Sequence, residues 1–403
     1  MNGSRSLLVR ADRAVTLDGP LIEDAALLVE DETISAVGPA PEIEPRAADA
    51  ETVDLPGMTL LPGLINAHCH LDYTCLRGRL PAGRSFSRWA LAIVAAKRRL
   101  RRRDYEDSVR EGLDELLRHG TTTVFEVSCS SGSYAVTRVA AETPVRIAFF
   151  GEVLGINPFK AGGRMRRFRR GFEEASADNV IARGMAPHAV YSISKRLMKM
   201  IQRELARRPM PITVHLLESR NEPRINPWFS GREAVRILDE RGLLHGPVLG
   251  VHVNYPDDED VAILASRGAS VVHCPGSRRF FGHDPFPAER LREAGVPICL
   301  GTDSLASNER LDMLGEIRSF LDAHADFTAE EALRMATAVP ARFLGQEGQL
   351  GVLRPGALAD MIAVPTPGLR AGSCGTEEAC ASVVKHDGEV PWVMIGGHVV
   401  RRA

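Results

Sequence analysis

The chain has 403 residues, 44% hydrophobic and 25% charged, enough to bury one large core or two moderate ones. A formal net charge of −2 and a pI near 6.7 exclude a duplex nucleic-acid partner held mainly by counterion release. The opening stretch MNGSRSLLVRADRAVTLDG breaks its apolar run with Arg10, Asp12 and Arg13, so neither a signal-peptide core nor a membrane association is expected.

Seven cysteines, an odd number without a CxxC pair, argue against both a disulfide framework and a thiolate zinc site. Buried reduced thiols in a cytoplasmic protein are the expectation.

In chain order, the first elements are short strand-like pieces separated by turn signals: SLLVRADRAVTLDG, AALLVEDETISAVGP and ETVDLPG. Similar pieces, DMIAVP and WVMIGGHVVRR, close the chain. Residues 1–60 and 350–403 therefore read as a discontinuous accessory β-sandwich. Between 61 and 349 a short apolar run followed by an amphipathic helical stretch recurs. Eight runs stand out: LINAHCH, TTTVFEV, VRIAFFGEV, VIARGMAPH, PITVHLLE, VLGVHVN, ASVVHCP and VPICLGTD. Helical patterns such as YEDSVREGLDELLRHG, GREAVRILDERGLL and DDEDVAILASRG lie between them, with glycine as the stop signal. Eight buried strands alternating with helices predict an α/β fold of the (β/α)8 TIM-barrel type, with a doubly wound sheet as the competitor. The basic stretches KRRLRRR (97–103) and RMRRFRR (164–170) each fall in a helical stretch followed by acidic residues. They read as solvated outer helix faces or a subunit contact, and a homo-oligomer is expected.

Polar residues gather at the ends of these runs. In a strand, residues two apart point the same way, so His68 and His70 project together and Cys69 faces opposite. Two imidazoles at the C-terminal end of a barrel strand can offer two ligands to a metal, or hydrogen-bond to other groups as a structural pair. His188, His215, His252 and His273 also fall within or just after strand runs, as do Glu218 and Asp303. In a barrel, that is where catalytic residues collect.

The chain resembles the amidohydrolase superfamily, and within it the mononuclear branch of aminohydrolases. The matching pieces are PGLINAHCHLD (62–72), VHLLES (214–219), VHVNY (251–255), HCPGS (273–277) and LGTDSLASN (300–308), and LGVLRPGALADMIAV (350–364) resembles the return to the accessory unit. The resemblance implies metal ligands at His68, His70, His215 and Asp303, a proton shuttle at Glu218 and a water-polarising histidine at His252. The binuclear branch has a lysine at the end of the fourth strand; here GMAPHAVYS supplies His188 instead, which implies one divalent ion. Zinc fits three imidazoles and a carboxylate best, and iron fits too. Asp303 is then the candidate general base, and the implied reaction is hydrolytic deamination of an amino-substituted ring. Alternatives on the same site are triazine or halide hydrolysis, guanine deamination and cyclic-amide opening. A non-catalytic scaffold is disfavoured because every ligand position is filled.

The substrate pocket is less explicit. His188 either contacts substrate or supports the scaffold, and Glu152 in FFGEVLG either binds a ribose hydroxyl or pairs with an arginine. Phe86 and Trp89 read as aromatic lids or as core packing, and His273 as support for the metal ligands. After HCPGS the chain continues Arg278, Arg279, Phe280 and Phe281, a form that looks closer to aminodeoxyfutalosine deaminases than to thioadenosine deaminases. Arg224, Arg278 or Arg279 could then pair with a substrate carboxylate. The expected substrate is a small amino-heterocycle, foremost an adenine nucleoside.

Overall fold

The computed structural model describes residues 5–81, 86–220, 233–369 and 374–402. Four strands precede the barrel: β1 (Ser6–Ala14), β2 (Ile22–Glu30), β3 (Thr33–Pro39) and β4 (Glu51–Pro62). The barrel strands are β5 (Leu64–Cys69), β6 (Thr121–Ser128), β7 (Arg146–Val153), β8 (Val180–Pro187), β9 (Ile212–Leu216), β10 (Val248–His252), β11 (Ser270–His273) and β12 (Ile298–Leu300). Three more follow: β13 (Met361–Pro365), β14 (Trp392–Ile395) and β15 (His398–Arg402).

All eight apolar runs are strands, and they are hydrogen-bonded in chain order from β5 to β12. Closure comes from a parallel bridge between Cys69 and Asp303, with the Asp303 amide donating to the His68 carbonyl at 3.1 Å. Every residue of β6 is buried, as expected where a parallel strand is covered on both faces. Glycines terminate helices as read: Gly242 (φ 69°) follows Ala234–Glu240, and Gly268 (φ 64°) follows Asp258–Ser266.

The terminal segments form a seven-stranded mixed sheet in the order β15-β14-β13-β4-β1-β2-β3. β1 pairs antiparallel with β2 and parallel with β4, and β4 pairs antiparallel with β13. Its alternation is clean: Leu7, Val9 and Ala11 join Leu27, Val29, Trp392 and Met394 in one core. Leu8, Ala26 and Leu28 face the other way, under Ala40 and Ile43.

Two compact units result, residues 1–66 with 115–123 and 312–403, and residues 67–114 with 124–311. No described helix is long and apolar enough to cross a membrane.

Candidate active site

Four strand ends bring the polar residues together. His68, His70, His215, His252 and Asp303 are all buried, and so is Glu218. The side-chain ligand atoms of His68, His70 and Asp303 lie within 4.8 Å of one another, as do those of His68, His215 and His252. Tautomers are set by the main chain: His70 Nδ1 donates to the Val127 carbonyl (3.0 Å) and His215 Nδ1 to the His188 carbonyl (2.9 Å). A carbonyl can only accept, so both rings carry their proton on Nδ1 and turn bare Nε2 lone pairs inward. Those two Nε2 atoms are 3.4 Å apart. Two facing lone pairs at that distance repel unless a cation lies between them.

Asp303 adds the negative charge. Its Oδ1 is 3.7 Å from His68 Nε2 and 3.9 Å from His70 Nε2, while Oδ2 accepts from the hydroxyls of Ser277 (2.7 Å) and Ser307 (2.9 Å). Burial works against ionising Asp303, yet His68 and His252 outweigh it and hold its carboxyl well below the usual range. Burial also keeps His70 and His215 well below 6.5 and pushes His252 down to about 3, so these imidazoles are neutral ligands or acceptors at neutral pH. The donor set, neutral imidazoles with one carboxylate, suits a divalent metal.

The backbone bends sharply where these side chains leave the strands. Leu217 (φ 49°), His252 (φ 71°), Val253 (φ 47°) and Asp303 (φ 57°) all take the left-handed conformation, which is costly for Val253 with its branched Cβ. Close approach is also built in at Gly301, where a Cβ would meet the His68 amide nitrogen at 2.8 Å and its carbonyl oxygen at 2.9 Å. A Cβ on Gly276 would strike the Asn308 side chain, whose amide donates to the Thr302 carbonyl (2.8 Å). The segment after β11 is thereby packed against the segment after β12, and Ser277 reaches Asp303.

Around this cluster lies a cavity of about 590 Å³, within the usual range for small-ligand sites. His188, Glu152, Phe86 and Trp89 all line it. His188 Nδ1 is 3.1 Å from Ser192 Oγ, and its ring stacks on His215 at 4.9 Å, so it both supports a ligand and faces the cavity. Glu152 is 2% exposed, and its Oε2 has no hydrogen-bond partner, arginine included, among the described residues. Trp89 Nε1 donates to the Ala306 carbonyl (3.0 Å), and both Phe86 and Trp89 pack on Phe281. Glu218 Oε1 is 3.6 Å from His252 Nε2.

Other expectations fare differently. Arg278 and Arg279 are not among the cavity-lining residues, and Arg278 Nη1 donates instead to the carbonyls of His283 (3.1 Å) and Asp284 (3.3 Å). Arg224 lies outside the described residues. His273 stacks on Phe286 at 4.0 Å. Of the two basic stretches, 164–170 turns Met165 and Phe168 inward and its arginines outward, as expected. Lys97 departs from that reading. It ends the Phe86–Lys97 helix inside the cavity, its Nζ donating to Tyr73 Oη at 2.6 Å and lying over the Tyr73 ring. Burial opposes its charge, but Cys129, Glu152 and Asp72 outweigh burial and raise its pKa. Ser277, Ser307, Tyr73 and Lys97 were not singled out as site residues by sequence. Two acidic residues also brace the ligand-bearing turn: Glu126 accepts from the Leu71 amide (2.9 Å), and Asp72, pushed up to about 7 by burial, accepts from the Cys129 amide.

A binding cluster at the mouth of a parallel barrel, built from HxH on the first strand and an aspartate after the last, defines a metal-dependent hydrolase class. The Amidohydrolase family model matches residues 59–400, and the chain belongs to that family. Among its relatives, the 5-methylthioadenosine/S-adenosylhomocysteine deaminase of Syntrophobacter fumaroxidans is 34% identical over 385 residues, covering 90% of this chain and 86% of that protein. The enzyme of the same name from Pyrococcus furiosus is 31% identical, covering 84% and 81%. In structure the chain is similar to a zinc-bound adenosine deaminase from Xanthomonas campestris, with a TM-score of 0.86, 26% identity and coverage of 99% and 93%. The aminofutalosine deaminase of Helicobacter pylori shares the fold, with a TM-score of 0.83, 22% identity and coverage of 98% and 99%.

Proposed function

We propose that the protein is a zinc-dependent aminohydrolase that removes the amino group of an adenine nucleoside as ammonia, with His68, His70, His215 and Asp303 as metal ligands. The observation that carries this reading is the pair of inward-facing Nε2 atoms of His70 and His215 beside the Asp303 carboxylate, with Glu218 and His252 at the rim. A divalent ion held by these residues would supply a water acidified towards neutrality.

The chain's own residues do the rest. Asp303, ionised and held by two serine hydroxyls, accepts the water's proton. Glu218 donates a proton to the ring nitrogen next to the attacked carbon; the proton taken by Asp303 passes to the leaving amine, and the hydroxyl proton of the adduct returns to Glu218 as the C–N bond breaks. His252, neutral and 3.6 Å from Glu218, hydrogen-bonds the oxygen arriving at that carbon. His188, which lines the cavity and stacks on His215, holds the ring from its side. Trp89 and Phe86 enclose the planar ring.

Two features support an adenine nucleoside with a thioether substituent. Relatives covering most of the chain carry the name 5-methylthioadenosine/S-adenosylhomocysteine deaminase. The Phe86–Lys97 helix presents Leu91, Ile93 and Val94 to the cavity, an apolar wall suited to such a group. Cytoplasmic residence accompanies this reading, supported by seven free cysteines. A homo-oligomer does too, supported by the exposed apolar pair Ile156 and Phe159.

The test is an ammonia-release screen of metal-loaded protein over adenine nucleosides, guanine, cytosine and aminotriazines. Release from adenine nucleosides is expected. Opening of a ring amide with no ammonia from any amino-substituted ring would overturn the reading. Halide loss is disfavoured beforehand, because chloride departs without the proton that Glu218 is placed to give.

A further inference from the structure

Glu152 and Lys97 are two oppositely charged side chain types in the wall of one largely apolar cavity. Glu152 leaves β7 at its C-terminal end, 2% exposed, and its Oε2 meets no hydrogen-bond donor among the described residues. A buried carboxylate oxygen without a donor costs on the order of a few kcal/mol, so its retention beside a cavity points to a donor delivered by a ligand. Lys97 stands at the end of the helix that forms the apolar wall, with one Nζ proton committed to Tyr73 Oη. An ammonium has three protons; Cys129 engages a second, so one remains to be given. Tyr73 in turn stacks on His70 at 5.6 Å, which ties this polar patch to the metal cluster.

We propose that Glu152 and Lys97 form a diol-recognition subsite, in which Glu152 accepts from one hydroxyl of a vicinal pair on the substrate and Lys97 donates to the oxygen of the other. Tyr73 is a positioning residue, fixing Lys97 through its hydroxyl. The chemistry matches the two partners: a hydroxyl is both donor and acceptor, so Glu152 can accept from one hydroxyl while Lys97 donates to the oxygen of its neighbour. A carboxylate or an ammonium on the substrate would suit one partner and be repelled by the other. The subsite therefore selects an uncharged sugar, a ribose over a deoxyribose, and it rests on the nucleoside reading given above.

The experiment compares kcat/KM for a ribonucleoside substrate with its 2′-deoxy and 3′-deoxy forms in the wild type, Glu152→Gln, Lys97→Met and Tyr73→Phe enzymes, with metal content and circular dichroism recorded for each. Wild type is expected to favour the ribonucleoside over at least one deoxy form by about 100-fold, the scale of a hydrogen bond to a charged group. Glu152→Gln and Lys97→Met are expected to bring that ratio below about tenfold, mainly through KM, and Tyr73→Phe to lower it less. A wild-type ratio near one overturns the subsite while leaving deamination standing. Variants that lose activity equally on ribo and deoxy substrates, or that lose metal or fold without changing the ratio, overturn it too by making the pair structural. Failure to turn over any adenine nucleoside overturns the functional reading, and the diol assignment with it.

Discussion

Nε2 of His70 lies 3.4 Å from Nε2 of His215, and each ring has its Nδ1 proton engaged by a main-chain carbonyl. The folded chain therefore brings two lone pairs together and supplies no proton to separate them. A cation bound between them removes that repulsion in the native state alone. Chelation is expected to lower Tm, and added zinc to raise it in a concentration-dependent way. An identical melting curve with and without chelator would contradict the assignment of these residues as ligands.

The metal-free protein should lose stability in acid. Burial holds His252 down to about 3 and keeps His70 and His215 well below 6.5. Above pH 6.5 both the folded and unfolded chains carry these rings neutral, and their contribution is flat. As pH falls from 6.5 towards 3 the unfolded chain takes up protons that the folded one refuses, costing up to about 1.4 kcal/mol per pH unit for each ring. Urea midpoints of chelated protein should agree at about pH 8 and 7 and drop at about pH 5. A midpoint that holds constant to pH 5 would show that the rings are not buried neutral.

Ser277 and Ser307 both donate to Asp303 Oδ2, at 2.7 and 2.9 Å. Removing either hydroxyl frees the carboxylate to rotate away from the orientation that its proposed role as general base requires. Each alanine variant is expected to lower kcat by roughly 10- to 100-fold, the range for a hydrogen bond to a charged group, with KM little changed. Full kcat in both variants would mean that Asp303 is positioned by the metal alone.

Gly301 is where β12 presses on β5. A Cβ there would meet the His68 backbone at 2.8 and 2.9 Å. Because the obstacle is main chain, which cannot rotate aside, Gly301→Ala should displace His68, lower metal content, and destabilise the fold by about 1–3 kcal/mol. Unchanged metal stoichiometry and an unchanged urea midpoint would contradict the close approach.

Sequence shows the barrel because each strand carries its own signal: TTTVFEV is rich in β-branched residues, and the helices between runs end at Gly242 and Gly268. It shows His68 and His70 as a pair because strand alternation is local. Ser277, Ser307, Tyr73 and Lys97 are another matter. Ser277 reaches Asp303 only because two loops, 26 positions apart, are interlocked at Gly276 and Asn308. Lys97 sits in a run of basic residues whose composition reads as solvated surface, and its inward turn follows from where the Phe86–Lys97 helix ends. The arginine expectation fails for a similar reason: Arg278 is taken by the carbonyls of the following turn.

In the proposed reaction Glu218 supplies the proton that a departing amine needs and a departing halide does not. The most direct measurement is ammonia and 6-oxo product formed by metal-loaded wild type and Glu218→Gln protein from an adenine nucleoside. The account predicts one ammonia per 6-oxo product in the wild type, and a loss of about 10²- to 10⁴-fold in kcat for Glu218→Gln at unchanged metal content. Product formation by Glu218→Gln at the wild-type rate, or consumption of the nucleoside without ammonia, would contradict it.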